Sequence, residues 1–288
     1  MTNVILLILL LMLYYATYFI RDLWQHRHQK ESGSFVVGGV IGFITDFLDT
    51  LGIGSFATTT LFFDLTHQLK DDRQLPGTLN VAHTLPVMME GFVFTKVIKV
   101  EMTTLIPMML SATIGAWVGA RYVNRLDKHR IQYFMGISLL ITAVLMILKQ
   151  TGMLSFLGEG NVQSGLHGIF LIIAVLGNAM FGFLSSFGVG LYAPCMALVS
   201  LLGLSPLVAF PVMMCSCATI MPVASTNFIK AGRYNRKLAL SITIFGIIGV
   251  FVAAFFVTNL NLSVLTWIVI AVVIYTAVTY LRKSRQNS

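Results

Sequence analysis

The chain holds 288 residues, of which 57% are hydrophobic and only 10% charged, against about 25% charged in a soluble domain, so a soluble class is excluded. Its apolar runs are long and show no two-residue alternation, which excludes a barrel made of strands of about ten residues and leaves an all-α polytopic membrane protein. The formal charge of +8 is spread over short loops rather than gathered in a patch, so it reads as membrane topology and not as a nucleic-acid surface.

The first apolar run, about 4–20, has no Lys or Arg before it and no small-residue cleavage site after it. It therefore reads as an uncleaved span with its N-terminus outside. A polar stretch, 21–34, follows. The next apolar run, 35–64, is broken by Gly52 and Gly54, with Asp49, Thr50, Ser55, Thr58, Thr59 and Thr60 around the break. A glycine costs about 1 kcal/mol in a helix interior, and unpaired backbone in lipid costs several kcal/mol more. Such a break must face other protein or a wet cavity. Its arms, 36–50 and 55–63, are roughly 22 and 14 Å long at about 1.5 Å per residue, short of a hydrocarbon core of about 30 Å. A re-entrant hairpin is expected.

A charged loop, 65–75, leads to spans at about 77–95, 104–122 and 131–148. Residues 149–166 form a polar linker. The order then repeats: a second broken segment, 169–202, precedes spans at about 206–229, 238–257 and 264–281 and a tail, 282–288. The chain divides into an N-terminal span with its loop (1–34), a first repeat (35–148), the linker (149–166), a second repeat (167–281) and a cytoplasmic tail (282–288).

Two gapless alignments support the repeat. A shift of 136 residues lays Phe47, Leu48, Gly52, Gly54 and Ala57 on Phe183, Leu184, Gly188, Gly190 and Ala193. A shift of 134 lays Gly115, Val118 and Ala120 on Gly249, Val252 and Ala254, and Thr142, Ala143 and Val144 on Thr276, Ala277 and Val278. With hairpins that do not cross, sixteen of the nineteen Lys and Arg residues fall on one side, which the positive-inside rule makes cytoplasmic. Each half then contributes three spans, an odd number, so the repeats are expected to be inverted. One hairpin enters from the cytoplasm and the other from outside, with the breaks meeting near the midplane. That geometry suits alternating access.

At each break the resuming helix presents free N–H groups and the positive end of its dipole, which together attract anions. Substrate contact is accordingly expected at Gly52, Gly54, Ser55, Thr58 and Thr59, and at Gly188, Gly190, Tyr192, Pro194 and Cys195. The alternative is that the glycine pairs serve helix packing. Ionisable residues inside membrane segments are functional candidates, and Asp46, Asp49, His83 and Glu90 are the set for ion coupling. Asp46 and Glu90 suit coupling protons, because a bare charge is costly away from water. Asp49 suits a ligand role or a cap on the N–H groups freed at the break. His83, about two turns from the inner face, reads as a solvated or packing histidine or as a proton relay. Asn80, Thr84, Ser216 and Thr219 supply supporting polarity.

Three cysteines, Cys195, Cys215 and Cys217, lie in apolar runs without framework spacing, so no disulfide scaffold is indicated. The i, i+2 spacing of Cys215 and Cys217 puts them on different helix faces. Without a Cys-x-x-Cys or a cofactor fingerprint, a membrane thiol oxidoreductase is disfavoured. No catalytic residue, metal ligand set or cofactor is assigned.

The motifs Leu51-Gly52-Ile53-Gly54-Ser55-Phe56-Ala57 and Phe187-Gly188-Val189-Gly190-Leu191-Tyr192-Ala193-Pro194 resemble the repeated glycine-rich motif of the TauE/SafE sulfite exporter family, also called the toluene sulfonate uptake permease family. The resemblance runs from about residue 35 over nearly the whole chain. It implies a transporter, not an enzyme, in a prokaryotic-type plasma membrane, moving sulfite or organosulfonates with proton or sodium coupling. The family commonly has a third glycine where Ser55 and Leu191 stand, and a proline where Thr58 stands, while Pro194 keeps the second. Asp46 and Asp49 lie outside the general motif. These departures mark a divergent branch. Two other readings remain open: a non-transporting scaffold or biogenesis protein, and a cation or metal permease suggested by Asp46, Asp49, Glu90 and His83.

Overall fold

The computed structural model describes residues 2–29, 31–51, 53–94, 100–153, 161, 163–188, 191–256 and 263–286. Among them no strand forms, and the helices are α1 (Thr2–Gln25), α2 (Phe35–Thr50), α3 (Ser55–Thr66), α4 (Leu75–Phe94), α5 (Met102–Val123), α6 (Lys128–Gln150), α7 (Gly168–Ser185), α8 (Tyr192–Leu201), α9 (Pro206–Ala231), α10 (Arg236–Phe256) and α11 (Ser263–Gln286). Six of them, α1, α5, α6, α7, α9 and α10, are long and apolar enough to cross a membrane. Local chemistry sets several boundaries. The Ser34 hydroxyl accepts from the Val37 amide at the start of α2, and the Asp127 carboxylate accepts from the Arg130 amide at the start of α6. Pro206 opens α9, where its missing N–H costs nothing, and Gly232 closes it at φ +62°.

Both broken segments are hairpins with their ends fastened together. At the first, the Ser34 amide donates to Gln68 Oε1 at 2.7 Å. At the second, Asn161 Nδ2 donates to the Ser200 carbonyl at 2.7 Å, and the Ser205 amide donates to the Gln163 carbonyl at 3.1 Å. The second segment therefore turns back on itself even though α7 has the length and apolarity of a span.

Each long hairpin arm lies along a helix of the other half: α2 on α10 and α7 on α5, while α6 pairs with α11. Glycines permit this closeness. A Cβ on Gly115 would fall within 3.0 Å of the Ala179 carbonyl oxygen, and one on Gly182 within 3.0 Å of the Ala112 carbonyl oxygen. Along α2 and α10, a Cβ on Gly42 would stand 2.6 Å from the Ile242 Cα. Backbones this close maximise dispersion contact where lipid supplies no hydrophobic drive between helices.

Helices α4 and α9 pack on each other at the centre, and α9 is the most enclosed of the candidate spans. The periphery is apolar and uncovered: Ile169, Phe170, Ile172, Leu176 and Met180 of α7 are all exposed. A patch of that kind belongs against lipid. At one end of the bundle Asp22 gathers the chain. It accepts from the Tyr234 hydroxyl at 2.5 Å and from Arg236 Nε at 2.7 Å, while Arg236 Nη1 donates to Glu31 at 3.1 Å. Burial, with Asp22 beside it, pushes the Tyr234 hydroxyl well above its usual value. The network ties α1 and the loop before α2 to the turn between α9 and α10.

Candidate functional site

The first break is shaped by Gly54, whose φ of +96° and ψ of +133° lie in a region open essentially to glycine alone. Helix α3 starts immediately after it with no side-chain cap. At the second break Gly188 also has φ +96°, and α8 begins after Leu191, again with no side-chain cap. Gly52 and Gly190, the other member of each pair, lie outside the described residues.

The two breaks meet. A cavity of about 90 Å³ is lined by Asp49, Gly54 and Ser55 from the first and by Ser185, Gly188 and Leu191 from the second. A buried water needs about 10–15 Å³ measured in this way, so there is room for several waters or for one small oxyanion. Nothing stands within 4 Å of where a Gly54 Cβ would be, so that glycine faces open space. Glu90 of α4 and Thr142 of α6 add polarity to the wall, while Phe56, Met214, Cys217 and Met221 make its apolar side. Among the described residues, no Lys, Arg or His lines it.

The acids are held by hydroxyls. Ser55 donates to Asp49 Oδ2 at 2.6 Å, which sets that carboxylate against the start of α3. The Thr50 hydroxyl shares its one proton between Glu90 Oε1 at 2.9 Å and the Asp46 carbonyl at 2.8 Å. Asp46 lies outside the cavity, wholly buried, with Oδ1 accepting from His83 Nδ1 at 2.7 Å. Thr59 Oγ1 is 3.0 Å from His83 Nε2. His83 is therefore buried and hydrogen-bonded at both ring nitrogens, not solvated. It bridges α2 and α3 from α4, because the α2–α3 hairpin folds down against the face that carries it.

Other expected site residues serve locally. The Thr58 hydroxyl is spent on the Gly54 and Ser55 carbonyls, one turn back on its own helix. Thr59 reaches His83 and not the cavity. Asn80 donates to the Pro76 carbonyl, and Thr84 pairs with Ser225 at 2.7 Å. Ser216 accepts from Asn178, and Thr219 donates back to the Ser216 carbonyl. Pro194 and Cys195 are buried in the first turn of α8, away from the cavity lining. Tyr192 starts that helix, and its side chain lies outside the described residues. The cavity takes Cys217 in place of Cys195. Thr142, Ser185, Cys217 and the two methionines went unassigned in the sequence. The only pointers were the 136-residue shift, which lays Asp49 on Ser185, and the i, i+3, i+7 spacing of Met214, Cys217 and Met221.

Comparison with curated proteins and with solved structures finds no match to the chain. The family model described as sulfite exporter TauE/SafE matches residues 2–146, half of the sequence. It takes in α1, which the motif resemblance had left out, and ends before the second glycine-rich motif. The chain belongs to the sulfite exporter TauE/SafE family.

Proposed function

We propose that the protein is a secondary transporter of small sulfur-containing anions such as sulfite or a short organosulfonate, working by alternating access and driven by a proton or sodium gradient. The observation that carries this is the shared cavity, where the starts of α3 and α8, from opposite halves of the chain, open on one small space. Held by backbone N–H groups rather than by a guanidinium, an anion binds weakly enough to leave.

The two halves, 35–148 and 167–281, act as inverted repeats about this cavity. Support comes from matched contacts. Gly115 packs against the Ala179 carbonyl and Gly249 against the Phe43 carbonyl, pairs related by the same shifts of 134 and 136 residues that align the sequences. The fastened mouth of the first hairpin sits beside the Asp22–Arg236 end, and that of the second beside Glu101 at the other end, where the Glu101 amide donates to the Ser164 carbonyl. The Lys and Arg excess makes the first of these ends cytoplasmic.

Purified protein in liposomes should take up labelled sulfite or a short alkyl sulfonate, and Gly54→Leu, which fills the open face of the break, should abolish it. Uptake indifferent to that change would remove the assigned site. Asp49 and Glu90, in a cavity that no basic residue lines among the described residues, also favour a second reading, a cation permease. Stabilisation by divalent metals, with none by sulfur anions, would select it.

A further inference from the structure

The buried Asp46–His83 pair stands outside the cavity and is not explained by binding an anion there. We propose that this pair is the coupling-ion site, that the ion is a proton, and that Phe56 is the partition between it and the cavity. The proposal rests on the anion-transport reading above and names its driving ion.

Both members of the pair are completely buried, with a 2.7 Å bond between Asp46 Oδ1 and His83 Nδ1. The other carboxyl oxygen, Asp46 Oδ2, has no hydrogen-bond partner. It sits where a Cβ on residue 246 would be, so Gly246 is the recess that admits it, with Pro86 beside. A hard cation such as sodium needs a shell of several oxygens. A Cβ at 246 would meet both Oδ2 and the Pro86 ring, and the other carboxyl oxygen is taken by the His83 N–H. Oδ2 stands open to a proton, and among the described residues no group of three or more His, Cys, Asp or Glu is placed to hold a metal ion.

His83 Nε2 faces Thr59 Oγ1 at 3.0 Å, and a hydroxyl can either donate or accept. With the pair empty, Asp46 is a carboxylate, His83 is neutral with its proton on Nδ1, and Thr59 donates to Nε2. With the pair loaded, the added proton sits on the open Asp46 Oδ2, and His83 still donates from Nδ1 and accepts from Thr59 at Nε2. The ring keeps both its bonds in either state, and only the net charge changes, from −1 to zero. A bare buried charge is costly, so the closed bundle favours the loaded pair. Loss of the proton favours a state in which water reaches the site. The proton enters with the pair open to one side and leaves with it open to the other.

The pair connects to the cavity in two ways. The Phe56 ring lies 5.8 Å from the His83 ring, centroid to centroid, and also lines the cavity. Thr50 bonds both the Asp46 carbonyl and the Glu90 carboxyl. The groups facing the pair are Asp49 on α2, Glu90 on α4, and the uncharged Thr59 and Phe56 of α3, Thr243 and Gly246 of α10, Ser225 of α9 through Thr84, and Tyr15 of α1, whose hydroxyl donates to the Val81 carbonyl.

The test uses a labelled short alkyl sulfonate, whose charge is fixed over the working pH range, in liposomes with the membrane potential clamped. Counterflow without a gradient is compared with net accumulation under a pH gradient. For one proton per anion, the accumulation ratio should change about tenfold per unit of pH difference. Asp46→Asn and His83→Gln should keep counterflow and lose that response. Accumulation that follows sodium instead, or an Asp46→Asn protein that still answers to pH, overturns the proposal. No counterflow in the unaltered protein removes the anion reading on which it rests. Thermal unfolding checks that the variants fold. Should Asp46→Asn fail to fold, Thr59→Val serves: a moved pH midpoint with maximal rate retained supports the pair, and an unmoved midpoint rejects it.

Discussion

Replacing Gly246 by alanine tests how the Asp46–His83 pair is housed. On helix propensity alone the change should stabilise α10 by about 1 kcal/mol. In this fold the new methyl would lie within 3.0 Å of Asp46 Oδ2 and 3.1 Å from the Pro86 ring. The carboxyl must then swing away, and its 2.7 Å bond to His83 is lost. Breaking one side of a buried charge pair costs about 3–5 kcal/mol, so after the propensity gain a net loss of about 2–4 kcal/mol is expected. Steric cause and electrostatic consequence separate in a double-mutant cycle with Asp46→Ala, which removes the clashing oxygen. Thermal unfolding in detergent micelles should show Gly246→Ala strongly destabilising alone and nearly harmless on the Asp46→Ala background, a coupling of more than about 1 kcal/mol. A Gly246→Ala protein at least as stable as the original, or effects that simply add, would refute the packing argument.

Three further outcomes follow from other positions. Gly54→Ala meets no steric obstacle, yet forcing a side chain to φ +96° should cost about 1–3 kcal/mol and weaken anion-induced thermal stabilisation; an unchanged melting point and ligand shift would contradict the backbone assignment. Gly115→Ala places a methyl against the Ala179 carbonyl and should push α5 and α7 apart, costing about 1–3 kcal/mol of overpacking, read as a lower melting point. At Asp71, burial alone would raise the carboxyl, but the hydrogen bonds and charge of Arg73 outweigh it and hold it below the usual 3.8. A depressed value in the folded state gives stability that is present above the usual value and lost as pH falls through the folded one. Because the pair is partly exposed, Asp71→Asn should cost a few tenths of a kcal/mol at about pH 7, and the difference from the original protein should vanish once pH has fallen below the depressed folded value.

Much of the frame was legible because it rests on counting. Apolar run length, the glycine breaks and the distribution of Lys and Arg all act locally or additively, so the sequence carries them directly. The first hairpin was foreseen on arm length and the second by repetition, its longer arm leaving a full crossing open, and both are fastened at their mouths. What could not be read is which face of one helix meets which face of another. Thr58 and Thr59 are neighbours with the same side-chain chemistry, yet one hydroxyl folds back on its own helix and the other crosses to His83. His83 looked close to water when counted along α4, and is wholly buried because α2 and α3 close over it. Cys195 beside Pro194 looked the better cavity cysteine, but the first turn of α8 packs it inward while α9 turns Cys217 to the cavity. The glycines that seat α7 on α5 went unread for the same reason, since a packing glycine differs from an idle one only by what lies opposite.

The proposed duplication sharpens the assignment of the proton site. Under the shifts that align the halves, Asp46 corresponds to Gly182, and Gly246 corresponds to Ala112. The two positions touch in both halves: Gly246 against the Asp46 carboxyl, Gly182 against the Ala112 carbonyl. In one half the small residue makes space for an acid; in the other it lets two backbones close. On that proposal the framework that would exchange inward and outward access is doubled, while the acid at this crossing occurs in one half alone. A symmetric scaffold lets two states have similar energy, and a charge present in only one half breaks that balance in a way that depends on its protonation. Asp46 has no counterpart at the matching seam, where a side chain on Gly182 would strike the Ala112 carbonyl, so Gly182→Asp should disable the seam rather than double the coupling.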